Sequence, residues 1–356
     1  VYDGTCIMFR TMRDFGFLNQ VRQSSAFCQT MAMSSWHLAH LRSSGSKSDH
    51  LRYSMSAVRR LQQQLDHPQD SFTDEAICAI LAFACGANLV KDSRALNVHL
   101  DGLASVLRRR GGLQTLDTNP LLRVMLYWVD VNGSYIQDIV PRFLPPFHLV
   151  PSAQSIHEAN LPPQTADTPI LSCIHASDKP LVMRIHEAIK AAQTLMRTES
   201  KIRDLWSDTI FPGFHISPIL HDLLSMHRPA DGSQTALVTE VFRLGAILYI
   251  TQLRGKFGID IIPGRLYADK LRDIARSTVI EGRSARLILI WSLTVASVSS
   301  SLSLGSRTSF ADLLKEAART LDIDTYEDLR ASVTQFLWDE ELLKGQLGSL
   351  VYLYPT

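Results

Sequence analysis

Leu96–Gly133 reads LNVHLDGLASVLRRRGGLQTLDTNPLLRVMLYWVDVNG, and this stretch decides the fold. Leu96, Leu100, Leu103 and Leu107 recur at the spacing of one apolar helix face. Arg108, Arg109 and Arg110 fill the last turn, where cations offset the negative end of the helix dipole. Gly111 and Gly112 follow, where a left-handed C-cap is easiest for a residue without a Cβ. Asn119-Pro120 then opens a second helix, with a capping side chain and a proline suited to the first helical position. That helix carries Leu121, Leu122, Met125 and Trp128 inward. The reading is a helix hairpin with a specified turn.

Helical spacing recurs along the chain. Leu51, Met55, Val58, Leu61 and Leu65 form one stripe, with Arg52, Arg59 and Arg60 between them. Ser71-x-x-Asp74 resembles a capping box ahead of the apolar run Ala76–Cys85. Further stripes are Leu181, Ile185, Ile189, Ala192 and Met196; then Val238, Val241, Phe242, Gly245, Leu248 and Tyr249; then Leu313, Leu314, Ala317 and Leu321. Thr325-x-x-Asp328 caps a last helix expected to carry Leu329, Val333, Phe336 and Leu337. Strand alternation with hairpin turns does not occur. The expected class is all-α, a large irregular array of packed antiparallel helices.

Seven of the fifteen prolines fall between Pro141 and Pro169, which excludes regular helix and marks a long irregular connection. Two readings are open, a free linker or a loop packed over the helices to bury Phe143, Phe147 and Leu149. A shorter break is expected at Asp204–Gln234, with Pro212, Pro218, Pro229 and Gly232. The organisation is then a segment 1–20, a body 21–345 in two helical halves joined near 141–170, and a tail 346–356. Leu287–Leu304 has no charge, but its many serines fit a central helix packed by neighbours better than a membrane span. No fixed-period repeat is visible.

Several of these residues are also familiar. His99-x-x-Gly102, Arg110-Gly111-Gly112-Leu113, Asn119-Pro120-Leu121 and Trp128-x-Asp130 resemble the fungal-specific transcription factor domain. Glu240-x-x-Arg243-Leu-Gly-Ala-Ile-Leu-Tyr249-Ile-x-x-Leu253 looks like that family's second signature helix, and Phe336-Leu-Trp338-Asp339 like its C-terminal one. The resemblance runs in order from about residue 20 to 345. It implies an all-helical regulatory domain lying C-terminal to a DNA-binding zinc binuclear cluster, in the nucleus.

The composition bounds what the chain does alone. With 356 residues, 46% hydrophobic and 20% charged, it can bury a substantial core. A net charge of +1 gives no global field toward nucleic acid or an anionic membrane, so tight DNA binding by this chain is not expected. The five cysteines (Cys6, Cys28, Cys78, Cys85, Cys173) form no CxxC pair, which suits a reducing compartment and argues against a disulfide framework. Cys78 and Cys85 read as core thiols. Val1–Arg22 has no signal-peptide core, and the Asn132-Gly133-Ser134 sequon is then a chance match.

No enzyme constellation emerges: there is no GxSxG, P-loop, GxGxxG, HExxH or DDxxD. The acid pairs Asp74-Glu75, Glu327-Asp328 and Asp339-Glu340-Glu341 read as helix-end acids, as the dipole alone would favour. His37 and His40 share a helix face at i, i+3 but lack companion ligands, so no metal site is expected there. His99 reads as structural, its imidazole able to bond a loop carbonyl. The basic stretch Arg42–Arg60 reads as a surface loop entering a solvated helix face, without the aromatic interleaving of a nucleic-acid groove. Tyr127, Trp128, Tyr249, Trp291 and Trp338 read as core, the alternative being a small-molecule pocket between helices.

The resulting expectation is a transcription regulator represented by its helical effector region. It would act through protein partners or self-association, with a small-molecule effector as a further input and nucleic acid reached only indirectly. The six-cysteine cluster does not occur in residues 1–356, and the non-Met first residue suggests that it lies upstream. The contrasting expectation is a cluster-less co-regulator. No cofactor, catalytic residue or membrane contact is assigned to the chain. The motif positions His99, Gly102, Arg110, Gly111, Gly112, Asn119, Pro120, Trp128, Asp130, Glu240, Arg243, Tyr249, Trp338 and Asp339 are expected to be structural.

Overall fold

The computed structural model describes residues 10–22, 26–42, 47–67, 72–146, 148–149, 172–226, 232–259, 264–343 and 345–354; of residues 40–42 and 47 it describes the backbone alone. Among these residues there are helices and no strand. The chain divides into two compact units, Val1–Val150 and Pro151–Thr356.

In the first unit the helices are α1 (Phe17–Arg22), α2 (Phe27–Arg42), α3 (Lys47–Leu65), α4 (Asp74–Leu89), α5 (Ser93–Arg110) and α6 (Pro120–Gln137). The apolar run 76–87 of α4 is buried on every side, as a helix without a polar face must be. Thr73 caps it, Oγ1 accepting from Ala76 N at 3.3 Å; Ser71, the cap expected from sequence, lies outside the described residues. Helix α5 buries Leu96, Leu100, Leu103 and Leu107. Helix α6 is buried from Leu122 through Val131, while Leu121 is only half-buried. A Cβ at Gly133 would lie 2.7 Å from Leu96 Cδ2, so α6 presses its backbone onto α5 at that point.

Helix α3 presents a largely solvated face. Of its stripe, Leu51, Met55, Val58 and Leu65 are exposed, and Leu61 is half-buried. The unit holds this helix by Ala57 and Leu61, which meet Cys28 of α2 and Phe83 of α4. Periodicity locates an apolar face but not its neighbour. Of the proline-rich connection, the described portion is packed: Pro141, Phe143, Pro145 and Pro146 are buried and Leu149 half-buried. Phe147 and residues 150–171 lie outside the described residues.

The second unit contains α7 (Lys179–Ile202), α8 (Phe211–His215), α9 (Ser217–Ser225), α10 (Gln234–Lys256), α11 (Gly264–Ser277), α12 (Arg283–Val298), α13 (Leu304–Arg319) and α14 (Tyr326–Thr334), with short 3₁₀ turns at Leu205–Ser207 and Leu347–Leu353. Its centre is α10, buried throughout 241–254. That helix is long and apolar enough to cross a membrane by length and composition, and its burial by neighbouring helices marks it as a core element. Helix α12 crosses α10 at Gly245, where a Cβ would sit 2.2 Å from Ser292 Oγ.

Three expectations change here. Leu287–Leu304 is not one helix, because α12 ends at Val298 and Ser303 caps α13, its Oγ accepting from Ser306 N at 3.3 Å. The break at 204–234 contains two short helices, with Pro212 and Pro218 in their first turns, where a missing N–H goes unneeded. Helix α14, capped by Thr325 as expected, stops at Thr334, leaving Phe336 and Leu337 in the turns beyond.

Candidate functional site

Two carboxylates, Asp74 and Asp130, organise the turn and loop motifs of the first unit. Helix α5 ends in a left-handed glycine, Gly111 at φ +116°, with Gly111 N donating to Arg108 O at 3.3 Å and Gly112 N to Leu107 O at 2.8 Å. This is the Schellman arrangement, which satisfies carbonyls that the helix end leaves free. Gly112 stays at positive φ, +108°, and a Cβ there would meet Gln114 Oε1 at 2.5 Å. Arg110 is thereby aimed back across the turn, donating to Thr115 O at 3.2 Å and to Asp74 Oδ1. The other oxygen of Asp74 accepts from Asn119 Nδ2 at 2.8 Å, while Asn119 Oδ1 caps α6 through Leu122 N at 3.2 Å. Pro120 follows as the first residue of α6. One carboxylate at the start of α4 thus clasps the end of α5 and the beginning of α6.

Asp130, fully buried on α6, is the second. Its Oδ2 accepts from Arg142 N at 2.6 Å and Phe143 N at 2.8 Å, so it holds the start of the proline-rich segment. Arg142 reaches onward to Asp101 Oδ1 at 2.8 Å and Asn97 Oδ1 at 2.9 Å. Arg123, also on α6, donates to Leu144 O at 3.0 Å, and burial lowers its affinity for a proton. Trp128 is buried with its ring 4.8 Å from that of Phe15. His99 lies 5.5 Å from the Phe83 ring, and partial burial pushes its pKa below the usual histidine value. Gly102 has nothing within 4 Å of a would-be Cβ, so no close approach explains it.

In the second unit the two remaining signatures meet over α7. Gln193 of α7 donates from Nε2 to Tyr249 Oη at 2.7 Å and reaches Leu337 O at 3.5 Å. The Asp339 main chain bonds the same hydroxyl, and burial drives the Tyr249 pKa well above the ordinary phenol range. The Trp338 ring lies 6.4 Å from that of Tyr249, and Phe336 stacks edge-on against Trp291 at 4.8 Å. Asp339 caps the following turn through Leu342 N at 2.9 Å and pairs with Arg197 of α7 at 3.3 Å. Arg243, 1% exposed, is held by a two-pronged pair with Glu240 at 2.6 and 2.7 Å. Gln193–Tyr249 and Arg197–Asp339 thus link segments distant in sequence, while the Arg243–Glu240 pair lies within α10 itself.

Nothing local in the sequence marks Asp74, which accepts these bonds in the first unit, or Gln193 and Arg197, which donate them in the second. Asp74 looks like any helix-start acid, and Gln193 and Arg197 look like polar positions of an amphipathic helix. Their partners lie 36 to 144 residues away, beyond the reach of any local pattern. Burial and ring packing identify Tyr127, Trp128, Tyr249, Trp291 and Trp338 as core side chains.

The described thiols do not fit the family's zinc cluster. Cys28, Cys78 and Cys85 are buried, and burial pushes the Cys85 thiol up to about 12, far from the thiolate that a metal requires. Among the described residues no group of three or more His, Cys, Asp or Glu side chains is placed to hold a metal ion. The side chain of His40 lies outside the described residues, so its pairing with His37 is not shown.

Comparison with known proteins adds the family. The profile of the fungal specific transcription factor domain matches residues 21–339. No curated protein and no solved structure matches the chain. The matched span includes all three motif segments and the helices that they fasten, α2 through α14. The chain therefore belongs to the fungal-specific transcription factor domain family, and its work is the regulation of transcription.

Proposed function

We propose that this chain is the helical regulatory region of a zinc-cluster transcription factor and acts in the nucleus. It receives a signal, from a protein partner, a second copy or a metabolite, and passes it to a DNA-binding cluster encoded outside residues 1–356. The observation that carries this reading is the family match across residues 21–339. The near-neutral net charge supports an indirect approach to DNA. The mechanism is a shift between packed states of a helical array, in which a ligand or partner binds one state better than the other. Long-range fasteners such as Asp74–Arg110–Asn119 and Gln193–Tyr249 suit such all-or-none behaviour, because each ties elements distant in sequence.

The test is tethering. Residues 1–356 fused to an unrelated DNA-binding domain should raise or lower a reporter several-fold at that domain's operator. A folded, nuclear fusion that leaves the reporter unchanged in both directions would refute the proposal. Mapping the 5′ end of the transcript and translating the sequence ahead of Val1 separates the two forms of the reading. Six cysteines at cluster spacing give a DNA-binding factor, and a nearby start codon without them gives a co-regulator working through a complete factor.

A further inference from the structure

The exposed stripe of α3 is more than scattered surface hydrophobics, which are normal singly. Leu51, Met55, Val58 and Leu65 are 55, 56, 40 and 39% exposed. With Gln62 between the last two, they follow the 4-3-4-3 spacing of a coiled-coil seam over two heptads. The same helix is anchored on the unit along one flank of this seam, by Ala57 and Leu61, so the seam is carried on a fixed element and its exposed residues face outward. Its edge is basic. Arg52 and Arg59 flank one side and Arg60 lies beyond; all three are exposed, and among the described residues none of them pairs with an acid. Asp49 is the only acid within Lys47–Leu65.

We propose that this face of α3 docks an amphipathic helix of another protein, one with an apolar seam edged by Asp or Glu. The heptad spacing asks for a helix, and arginines that pair with no acid among the described residues, Arg52 resting only over the Tyr53 ring at 5.4 Å, ask for acids. A second copy fits poorly, since antiparallel pairing of two such seams would set Arg52 against Arg59. The chain's own undescribed segments fit poorly as well. Residues 1–9 are too few for two heptads, and 150–171 carry four prolines.

The test uses the whole chain and a synthetic probe. A fluorescent 21-residue peptide with Leu and Ile at the seam and Glu at the flanking positions is titrated by anisotropy, beside a copy with Lys for every Glu. The Glu peptide should bind saturably, and the Lys peptide about tenfold or more weaker, a gap that shrinks as salt is raised. M55E/V58E should abolish binding without lowering the melting temperature, because both side chains are exposed. R52E/R59E should reverse the preference between the two peptides. Four results would overturn the proposal. They are equal binding of both peptides, no saturable binding of either, M55E/V58E melting several degrees lower (the face is covered within the chain), and a wild-type dimer that M55E/V58E dissociates. Binding to anionic lipid vesicles without binding to the Glu peptide would equally reject a helical partner.

Discussion

Gly102 and Gly245 both lie inside helices, and the same substitution should move stability in opposite directions at the two. Alanine gains about 1 kcal/mol of helix propensity over glycine at either position. Room decides the rest. At Gly102 nothing stands within 4 Å of the new Cβ, so Gly102→Ala should stabilise by about 0.5–1 kcal/mol. At Gly245 the new Cβ would lie 2.2 Å from Ser292 Oγ and 2.8 Å from both Ser292 Cβ and Trp291 Cζ3. Relief requires α10 and α12 to part by about 1 Å, given that non-bonded carbons prefer roughly 3.5–4.0 Å. Otherwise Ser292 turns away and loses its bond to Val241 O at 3.1 Å.

Overpacking of this kind costs about 1–3 kcal/mol and the lost bond about 1 kcal/mol more. After the propensity gain, Gly245→Ala should destabilise by about 1–3 kcal/mol. At roughly 2–4 °C per kcal/mol for a unit of this size, the midpoint falls by about 2–12 °C. Differential scanning calorimetry of the two variants reads both signs. Adding Ser292→Gly to Gly245→Ala removes both Ser292 atoms from the clash but leaves Trp291 Cζ3, adds a helical glycine and forgoes the Val241 bond, so it should recover part of the loss, more than the sum of the two single variants allows. A Gly245→Ala variant as stable as the parent, or strictly additive effects in the double variant, would refute the close crossing of α10 and α12.

Other substitutions probe the fasteners. Asp74→Ala frees both Arg110 and Asn119 and should lower the urea midpoint by an amount worth about 1–2 kcal/mol; an unchanged midpoint removes Asp74 as the clasp. Gly112→Val places a β-branched residue at φ +108° against Gln114 and should cost about 1–3 kcal/mol in the same assay. His186 is held neutral by burial, its pKa pushed down to about 4, with Lys190 adding to the effect. Its folded pKa lies below the unfolded value near 6.5, so the unfolded chain takes up the proton first as pH falls. Its contribution is therefore complete above about pH 6.5 and drains away toward pH 4, at up to about 1.4 kcal/mol per pH unit. Chemical denaturation of His186→Gln across that window should show a shallower slope than the parent, and parallel slopes would contradict the burial.

What the sequence disclosed was local. The turn at Arg110–Gly112, the cap at Asn119 and the cap at Thr325 are each specified within four residues, and their chemistry is legible letter by letter. Helix α4 was equally plain, because a run apolar on all sides has nowhere to lie but the interior. Helix α3 shows the limit of periodicity: Leu51, Met55 and Val58 make a stripe whether or not anything covers it, and the packing rests on Leu61 of that stripe and on Ala57, which the stripe does not include. The prolines at 212 and 218 hid two short helices, since proline both ends and begins helical segments. Asp74, Gln193 and Arg197 stayed silent because their partners are set by tertiary packing.

The clasp at Asp74 also has a consequence in time. Helix α4 leaves the ribosome as an apolar rod, and the residue that completes its clasp, Asn119, follows 45 positions later. At about 5–20 residues per second, that interval is roughly 2–9 s. For those seconds the clasp on α4 is incomplete and α6 has not yet been made, and α4 is a natural client for a chaperone that binds nascent apolar helices. A nonsense codon placed between Asp74 and Asn119 would make that exposure permanent, so the resulting fragments should be cleared rather than accumulate as inhibitors of the full-length regulator.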